Sequence, residues 1–441
     1  MIRNLAIVVA VGIGLLHTRA ATAFPIIVPD FSGKVLLIVN EEDDNLVAVP
    51  IRNDGSADSG HGIALANFNN TGALDTVKST FSGDPDAVAV TPDGRFAYVH
   101  QEDNVAFASA AANTFVRFDL QNVEFHGAGH IKSFDMTGHT WLHDPLAVLN
   151  GFLYSSAMDP ACDPCTTACG VSLYKMAINP VTGDLGSPTV VTAIDDGSGH
   201  VATGINSRMT TDGTCIYVTD NGSNEFCFEG STIGPQFSPG SKRVYQICDT
   251  TVKVWADPTT GGDAPGFSAT DAGAGHTIVF GPNNQNLFLM EDNIVYSTTG
   301  LVGTTPGSFT QVGTLEGTLP QNEGSAFTTL ASGAFLYAGN EAEEEAYVAA
   351  VTGAGSGVAA VNAFDIDGED GAESGLAGDQ VEFDEAEGLA IINRSPRDTT
   401  GAALFVALPR PTPTLSSMGL VACALILLAS GGVLLSRSRS N

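Results

Sequence analysis

Two stretches of the chain repeat one pattern: residues 85–99 read PDAVAVTPDGRFAYV, and residues 206–220 read NSRMTTDGTCIYVTD. Each consists of a short run, an Asp-Gly pair and a second, more apolar run that contains Tyr-Val. The Asp-Gly pair predicts a tight hairpin turn, because glycine readily adopts the positive φ that such a turn requires. We therefore predict two antiparallel strands at each stretch, with alternate residues packed on one face.

Further copies of this hairpin occur along the chain, at residues 276–292 and 323–341 and at stretches that begin at Asp144 and Glu385. Between Phe24 and Leu408, runs of Val, Ile, Leu, Phe and Tyr alternate with turn-forming residues, and no amphipathic helix is predicted. A repeat of this kind indicates a radial or solenoid array, since one unit cannot bury both of its faces alone. The fold class is therefore predicted to be all-β.

The Pro-Asp-Gly turn followed by Tyr-Val resembles the YVTN-type β-propeller repeat. Residues 179–185 (NPVTGDL) and 70–74 (NTGAL) resemble the strand-turn-strand segment of lactonase-like propellers. Counting hairpins gives six or seven four-stranded blades, and we prefer seven units of about 55 residues, a length that implies loop insertions. Residues 34–51 read as a second and third strand, so the first strand of that blade is expected from residues 387–408, which would close the ring.

Residues 1–23 have the features of a signal peptide: a charged start with Arg3, an apolar run over residues 5–16, and Ala21-Thr22-Ala23 as a cleavage site. The alternative is a first transmembrane helix, but the run is too short to span a bilayer comfortably. We expect export, a mature chain that begins at Phe24, and a propeller domain over residues 24–408.

The C-terminal tail is predicted to hold the domain at the membrane. Residues 409–417 are a spacer rich in Pro, Thr and Ser, residues 418–435 are an uncharged apolar stretch long enough to span, and residues 436–441 are basic and expected to stay in the cytoplasm. The alternative is a buried core helix, which would need a polar face that this stretch lacks.

Pro413-Thr414-Leu415, followed by the apolar stretch and the final arginines, resembles the IPTL-CTERM class of bacterial sorting tails. Thr412 and Met418 depart from the usual pattern of that class, in which Ile and Trp are expected. The resemblance implies a sorting or processing transpeptidase as a partner. It also implies a place in the cell envelope, either anchored in the inner membrane or processed to the cell surface.

The composition is strongly acidic. Five of the 18 Lys and Arg residues lie in the terminal segments, so the exported domain has 13 basic residues against 49 acidic ones. Such a charge repels nucleic acid and favours cations or basic partners. Solubility outside the cell is the simpler explanation of the same charge.

Six of the seven cysteines lie close together in the chain. In an oxidising compartment this even number predicts local disulfides, and we expect at least two. The alternative is a metal site, since C-x-x-C spacing suits thiolate ligands. The six residues are Cys162, Cys165, Cys169, Cys215, Cys227 and Cys248.

In a propeller, the residues just before each innermost strand and just after each second strand lie at one end of the central channel. Here these positions are mostly acidic or histidine, which predicts a binding funnel. The candidates are Asp86, His100, Glu102, His143, His200, Asp220, His276, Glu291, Glu341 and Glu387. Of these, Glu102, Asp220 and Glu291 could hold Ca²⁺ or another divalent cation, because hard cations prefer oxygen ligands.

Two functions remain open from the sequence. The main hypothesis is an exported, membrane-anchored envelope module whose propeller binds an unknown envelope ligand or partner. The alternative is a lactonase-like hydrolase, in which a funnel residue, with or without a divalent metal, activates water against a cyclic ester. No Gly-x-Ser-x-Gly elbow or P-loop is present, so no catalytic residue is assigned.

Truncation after Leu408 is expected to release the domain from membranes in soluble form. The reason is that residues 418–435 are the one stretch after the signal peptide that is apolar enough to span. Fractionation of cells that express the full and truncated chains tests this. A truncated chain that stays with the membrane at high salt would contradict the single-anchor prediction.

Overall fold

The structure is a computed structural model. It describes residues 25–40, 45–67, 85–101, 114–123, 130–136, 138–141, 145–158, 170–202, 208–220, 243–256, 276–281, 284, 286–291, 294–298, 309–315, 324–340, 345–353, 355–364, 386–398 and 400–408.

The described residues form one 3-10 helix, η1 (Ser59–His61), and 27 strands. In chain order the strands are β1 (Ile26–Val28), β2 (Phe31–Asn40), β3 (Asn45–Arg52), β4 (Ile63–Asn67), β5 (Pro85–Val90), β6 (Phe96–Gln101), β7 (Thr114–Asp119), β8 (Ile131–Asp135), β9 (Thr140–Trp141), β10 (Ala147–Leu149), β11 (Phe152–Met158), β12 (Val171–Ala177), β13 (Thr189–Ala193), β14 (Met209–Thr211), β15 (Ile216–Asp220), β16 (Arg243–Cys248), β17 (Thr251–Ala256), β18 (His276–Phe280), β19 (Leu287–Glu291), β20 (Ile294–Thr298), β21 (Phe309–Thr314), β22 (Ser325–Leu330), β23 (Gly333–Asn340), β24 (Glu345–Thr352), β25 (Gly357–Phe364), β26 (Ala386–Ile392) and β27 (Phe405–Ala407).

Six antiparallel sheets form the blades of a propeller. Blade 1 has the order β26-β2-β3-β4, blade 2 is β5–β8, blade 3 is β10–β13 with β9 added, blade 4 is β14–β17, blade 5 is β18–β21 and blade 6 is β22–β25. Each innermost strand contacts the next, from β26 through β5, β10, β14, β18 and β22 back to β26. The ring therefore closes with six blades.

The preference for seven blades was wrong. Units of about 55 residues already allowed for loop insertions between strands, but six blades over the same length require longer units. The segments 221–242 and 365–385, for example, each lie between consecutive strands and add length without adding a blade.

The predicted seam of the ring is confirmed. Strand β26 comes from the C-terminal part of the domain and pairs with β2, with Leu37 opposite Ala390 and Asn40 opposite Ala386. Beside it, β1 and β27 form a two-stranded parallel sheet. The N–H of Leu408 donates to the carbonyl oxygen of Val28 at 3.1 Å. The two ends of the described domain are thus held together.

All innermost strands begin at the same end of the ring. In blade 2 the start of β5 pairs with the end of β6 (Pro85 with Gln101), and in blade 5 His276 pairs with Glu291. Because each blade is antiparallel, third strands also begin at this end. We call this end of the ring the mouth, and the opposite end, where the Asp-Gly turns lie, the base.

The core lies between blades. In β2, Val35, Leu37 and Val39 pack toward blade 2, whereas the intervening Leu36 and Ile38 pack toward blade 6. Successive strand residues point to opposite faces, so a blade that is buried on both faces needs an uninterrupted apolar run. This explains the sequence VLLIV at residues 35–39.

Buried tyrosines connect neighbouring blades near the base. Tyr98 donates its hydroxyl to the carbonyl oxygen of Gly183 in the next blade at 2.8 Å, and Tyr337 donates to that of Gly55 at 2.7 Å. Burial raises the pKa of Tyr98 well above its usual range, so the phenol stays protonated and remains a donor. The tyrosine of the repeat therefore contributes to blade packing.

One disulfide is present among the described residues, between Cys215, directly before β15, and Cys248, at the end of β16 in blade 4. It confirms one bond of the predicted local set. A second bond stays a prediction, because the other candidates lie outside the described residues. They are Cys162, Cys165, Cys169 and Cys227.

In the described part of the chain, no helix has the length and apolarity needed to cross a membrane. The signal peptide (1–23), the spacer with Pro413, Thr414 and Leu415, and the apolar stretch 418–435 lie outside the described residues and stay predictions.

Gly388→Ala is expected to destabilise the domain by about 1–3 kcal/mol through overpacking. A Cβ at this position of β26 would lie 2.6 Å from the carbonyl oxygen of Asp86, so β26 and β5 would have to separate. The matched control is Gly170→Ala, whose Cβ would meet its nearest neighbour, Val201, at 3.7 Å. The control should change stability by less than about 0.5 kcal/mol. Chemical denaturation measures both, and equal midpoints would contradict the close approach of these strands.

Candidate functional site

Polar side chains line the mouth at the starts of the innermost strands. Five of the six blades contribute one within or directly before the strand. They are Asp86 in blade 2, Arg208 in blade 4, Thr277 in blade 5, Ser325 in blade 6 and Glu387 in blade 1. All except Ser325 are buried. Buried polar side chains also occur elsewhere, for example Arg117 and Asp119, but the mouth groups them at the starts of the innermost strands, which marks it as the candidate site.

The central feature of the mouth is an ion pair between Arg208 and Glu387. The guanidinium Nη2 lies 3.2 Å from the carboxylate Oε2, and the two side chains are only 8% and 7% exposed. Arg208 belongs to blade 4 and Glu387 to blade 1, which face each other in a ring of six. The pair therefore crosses the channel.

Blade 4 holds Arg208 in place through its second strand. The backbone N–H of Arg208 donates to Thr219 Oγ1 at 2.8 Å. Asp220, 1% exposed, ends this strand and pairs in register with Arg243. These contacts position the guanidinium at the end of a packed sheet and leave it little freedom to move.

Blade 2 contributes Asp86 and His100, which are 4% and 0% exposed. The His100 ring stacks on Phe115, with 4.5 Å between ring centroids. Asp86 lies on β5, next to β26, and the close approach at Gly388 brings its backbone against the residue that follows Glu387. The carboxylates of Asp86 and Glu387 and the imidazole of His100 therefore lie at the same end of the ring as Arg208.

Blades 5 and 6 are linked at the mouth by hydroxyl groups. Thr277 Oγ1 and Ser325 Oγ share a hydrogen bond of 2.6 Å. Neither hydroxyl carries charge, whereas the described side chains of blades 1, 2 and 4 at this end include carboxylates and a guanidinium.

The structure places four of the predicted funnel residues at the mouth, namely Asp86, His100, Asp220 and Glu387. For His276 and Glu291 it places the backbones there, opposite each other in blade 5, and their side chains lie outside the description. The remaining candidates outside the described residues are Glu102, His143 and Glu341.

His200 does not start an innermost strand, contrary to its assignment to the funnel. It lies in a turn after β13, the outermost strand of blade 3, and its Nδ1 is 2.7 Å from Asp196 Oδ2. Burial opposes ionisation of Asp196, but hydrogen bonds from His200 and nearby backbone N–H groups hold the pKa of its carboxyl below the usual value. His200 therefore stabilises a local turn.

Among the described residues, no three His, Cys, Asp or Glu side chains converge as a metal site would require. Of the proposed ligands, Asp220 is described, whereas Glu102 and the Glu291 side chain are not. The prediction of Ca²⁺ or another divalent cation stays a prediction.

Arg208 was not predicted from the sequence, because only acidic and histidine side chains were considered as funnel candidates. A usable signal was present: in a domain with few cations, an arginine directly precedes one of the predicted innermost strands. Its partner could not be found in the same way, since Glu387 is 179 residues away in sequence.

Fold and site together define the class of protein: a six-bladed β-propeller with a buried ion pair across its mouth. No family model matches the chain, and no curated protein matches it.

Several solved structures similar to this chain are named as gluconolactonases, and others have unrelated names, such as an allergen of Malassezia sympodialis. One is a provisionally assigned 6-phosphogluconolactonase from Bacteroides fragilis, with 12% identity, a TM-score of 0.43 and coverage of 82% of this chain and 98% of the other. A second, from Bacteroides uniformis, has 13% identity, a TM-score of 0.40 and coverage of 77% and 85%. The periplasmic gluconolactonase of Pseudomonas aeruginosa has 14% identity, a TM-score of 0.40 and coverage of 77% and 84%. The assignment of the fold rests on the strand pairing of this chain.

Breaking the ion pair from one side is expected to cost more stability than removing it. Arg208→Met should cost about 3–5 kcal/mol, because it leaves the Glu387 carboxylate buried without its guanidinium. The double variant Arg208→Met/Glu387→Met should be less destabilised than the sum of the two single variants. Chemical denaturation of all three measures the coupling.

The control for this cycle is Arg397→Met, which removes an exposed arginine at the base and should change stability by less than about 0.5 kcal/mol. Strictly additive effects of the two mouth substitutions would show that Arg208 and Glu387 do not interact across the channel.

Proposed function

We propose that the mouth is a lactonase-like active site in a protein that is exported and held at the membrane. The observation that carries the proposal is the buried Arg208–Glu387 pair, at a channel end that also holds Asp86, His100 and Asp220. Buried charges are costly, and concentrations of them in a cleft are typical of functional sites.

Hydrolysis of a cyclic ester needs a base, a stabiliser of negative charge and a proton source. In our proposal Glu387 takes a proton from water as the water oxygen bonds to the acyl carbon. Arg208 donates to the oxygen that becomes negative in the tetrahedral intermediate. The ring C–O bond then breaks, and the ring oxygen takes back the proton that Glu387 received from water. The product is an open-chain hydroxy acid, and atoms and charge balance without a further reactant.

The charge of the mouth favours an uncharged substrate. The buried carboxylates at the mouth are Asp86, Asp220 and Glu387. Arg208 already interacts with one of them at 3.2 Å, and Arg243 pairs in register with Asp220. A phosphorylated or carboxylated lactone would meet an excess of negative charge, which also lowers its local concentration. A neutral sugar lactone, with hydroxyls for the polar groups of blades 5 and 6, fits these charges better.

A ligand-binding module without turnover is the second candidate, and one observation favours it. Arg208 and Glu387 satisfy each other across the channel, so the pair could brace opposite blades while the surrounding polar groups bind a ligand. In this second candidate the ligand is an envelope component. The C-terminal tail either anchors the protein in the membrane or is the substrate of a sorting transpeptidase.

Export is supported by the Cys215–Cys248 disulfide, because such bonds persist mainly in oxidising compartments. The signal-like residues 1–23 and the apolar stretch 418–435 point to the cell envelope in the same way.

The test is turnover of neutral lactones, such as glucono-δ-lactone, by the detergent-solubilised full chain, followed as acid release in a pH-stat. Activity is expected, and Glu387→Gln should reduce it by about 100-fold or more, since the general base is lost. Asp135→Asn is the matched control: it removes a carboxylate from the same end of the ring, on the exposed outermost strand of blade 2, and should leave activity unchanged.

Three further outcomes separate the candidates. Loss of turnover on chelation, restored by Ca²⁺, would support the divalent-cation prediction. If Glu387→Gln proves unstable, Arg208→Lys serves as a second variant. It keeps the positive charge and should retain partial activity. Calorimetric binding of the lactone or its open-chain acid without any turnover would overturn the hydrolase and favour the binding module.

A further inference from the structure

The described domain ends at the base. Strand β26 runs from the mouth at Ala386 to the base at Ile392, and β27 follows on that side. Leu408, the last described residue, donates its N–H to Val28, just before β2 begins at the base. The segment toward the predicted membrane stretch therefore leaves from the end of the ring opposite the mouth.

The distance between the two ends is substantial. Strand β26 has 7 residues, and at about 3.3 Å per residue a strand of this length separates mouth and base by about 20 Å. The spacer 409–417 reaches about 28 Å at most when fully extended as polyproline. The base can thus approach a bilayer that holds residues 418–435, while the mouth remains a blade's length further away.

Charge is segregated between the two ends. All described Lys and Arg residues except Arg208 and Arg243 lie on the base side of their blades. They are Lys34, Arg52, Arg95, Arg117, Lys132, Lys175, Lys253, Arg394 and Arg397.

Several of these cations pair with carboxylates at the base. Arg52 lies 2.8 Å from Asp58, and Lys132 lies 2.7 Å from Asp184. The base is therefore close to neutral among the described residues, whereas the mouth is acidic. Anionic lipid headgroups repel an acidic surface more strongly than a balanced one, so electrostatics favours the base as the membrane-facing side.

The exit point carries exposed apolar side chains, as does blade 3, where Val181 and Val190 are 69% and 56% exposed. Ile27 and Leu408 are 50% and 49% exposed and lie on neighbouring parts of the β1–β27 clasp. Exposed apolar side chains at this position suit a surface that lies near the headgroup region of a bilayer.

We propose that the base of the propeller faces the lipid surface and that the mouth points away from it, into the aqueous compartment. The inference rests on the proposed retention by residues 418–435. It gives the protein a fixed polarity, in which the end of the ring that holds Arg208 and Glu387 faces away from lipid.

The test uses the full chain in vesicles of phosphatidylcholine and phosphatidylglycerol that contain an acceptor dye on a lipid headgroup. A donor dye is attached through a genetically encoded keto amino acid, to avoid the native cysteines. The base position is Ala331 and the mouth-side position is Ser198, both exposed. Thr251, at the base end of β17, and Asp195 are a second exposed pair in case the first folds poorly.

Energy transfer from the base position is expected to exceed transfer from the mouth-side position by about twofold or more, because the two ends differ by about 20 Å in height. Flotation of the chain with vesicles is measured in parallel. Flotation with equal transfer, or with higher transfer from the mouth side, would overturn the orientation alone. A chain that does not float would overturn both membrane retention and orientation, and the lactone assay, which does not depend on vesicles, would be unaffected.

Discussion

The pairing of β26 with β2 joins the C-terminal part of the domain to its N-terminal part and completes the ring. Each blade has two apolar faces, which it can bury only against two neighbours. Without β26, blade 1 would lack its innermost strand, and blades 2 and 6 would each lose part of a packing surface. Close approach at Gly339, where a side chain would overlap the carbonyl oxygen of Ala386, shows how tightly β26 fits.

Closure of the ring also creates the site. Glu387 is the second residue of β26, and ring closure places it opposite Arg208 of blade 4. An ion pair in a low-dielectric interior is stabilising only when its geometry is fixed, since desolvation of both charges opposes it. Six packed sheets supply that rigidity, and the polar groups of the other blades surround the pair. The same packing that stabilises the fold therefore holds the groups on which catalysis or binding would depend.

The acidic and basic side chains are distributed unequally between the two ends of the ring, which the net charge alone does not show. At the base, cations and carboxylates pair locally, as in Arg95–Asp119 at 3.4 Å. At the mouth, carboxylates outnumber cations among the described side chains. The proposals on substrate charge and on orientation toward lipid both rest on this distribution of charge.

Several features were determined by the sequence alone because they are local. The Asp93-Gly94 and Asp212-Gly213 pairs predicted tight turns, and Gly94 and Gly213 have φ values of +66° and +88°. Alternation of apolar residues predicted the strands, and a blade that starts with its second strand predicted that its first strand comes from the C-terminal part. These signals are local because turn φ angles and strand periodicity depend on adjacent residues.

Only the tertiary structure decided the number of blades, the turn position of His200 and the partner of Arg208. Chain length cannot distinguish a strand from a long connection, so six and seven blades remained open until the ring closed. Glu387 and Arg208 meet because blades 1 and 4 are opposite each other in a ring of six, which is a property of packing. No pattern within either hairpin encodes that contact, since it depends on the fit of every blade between them.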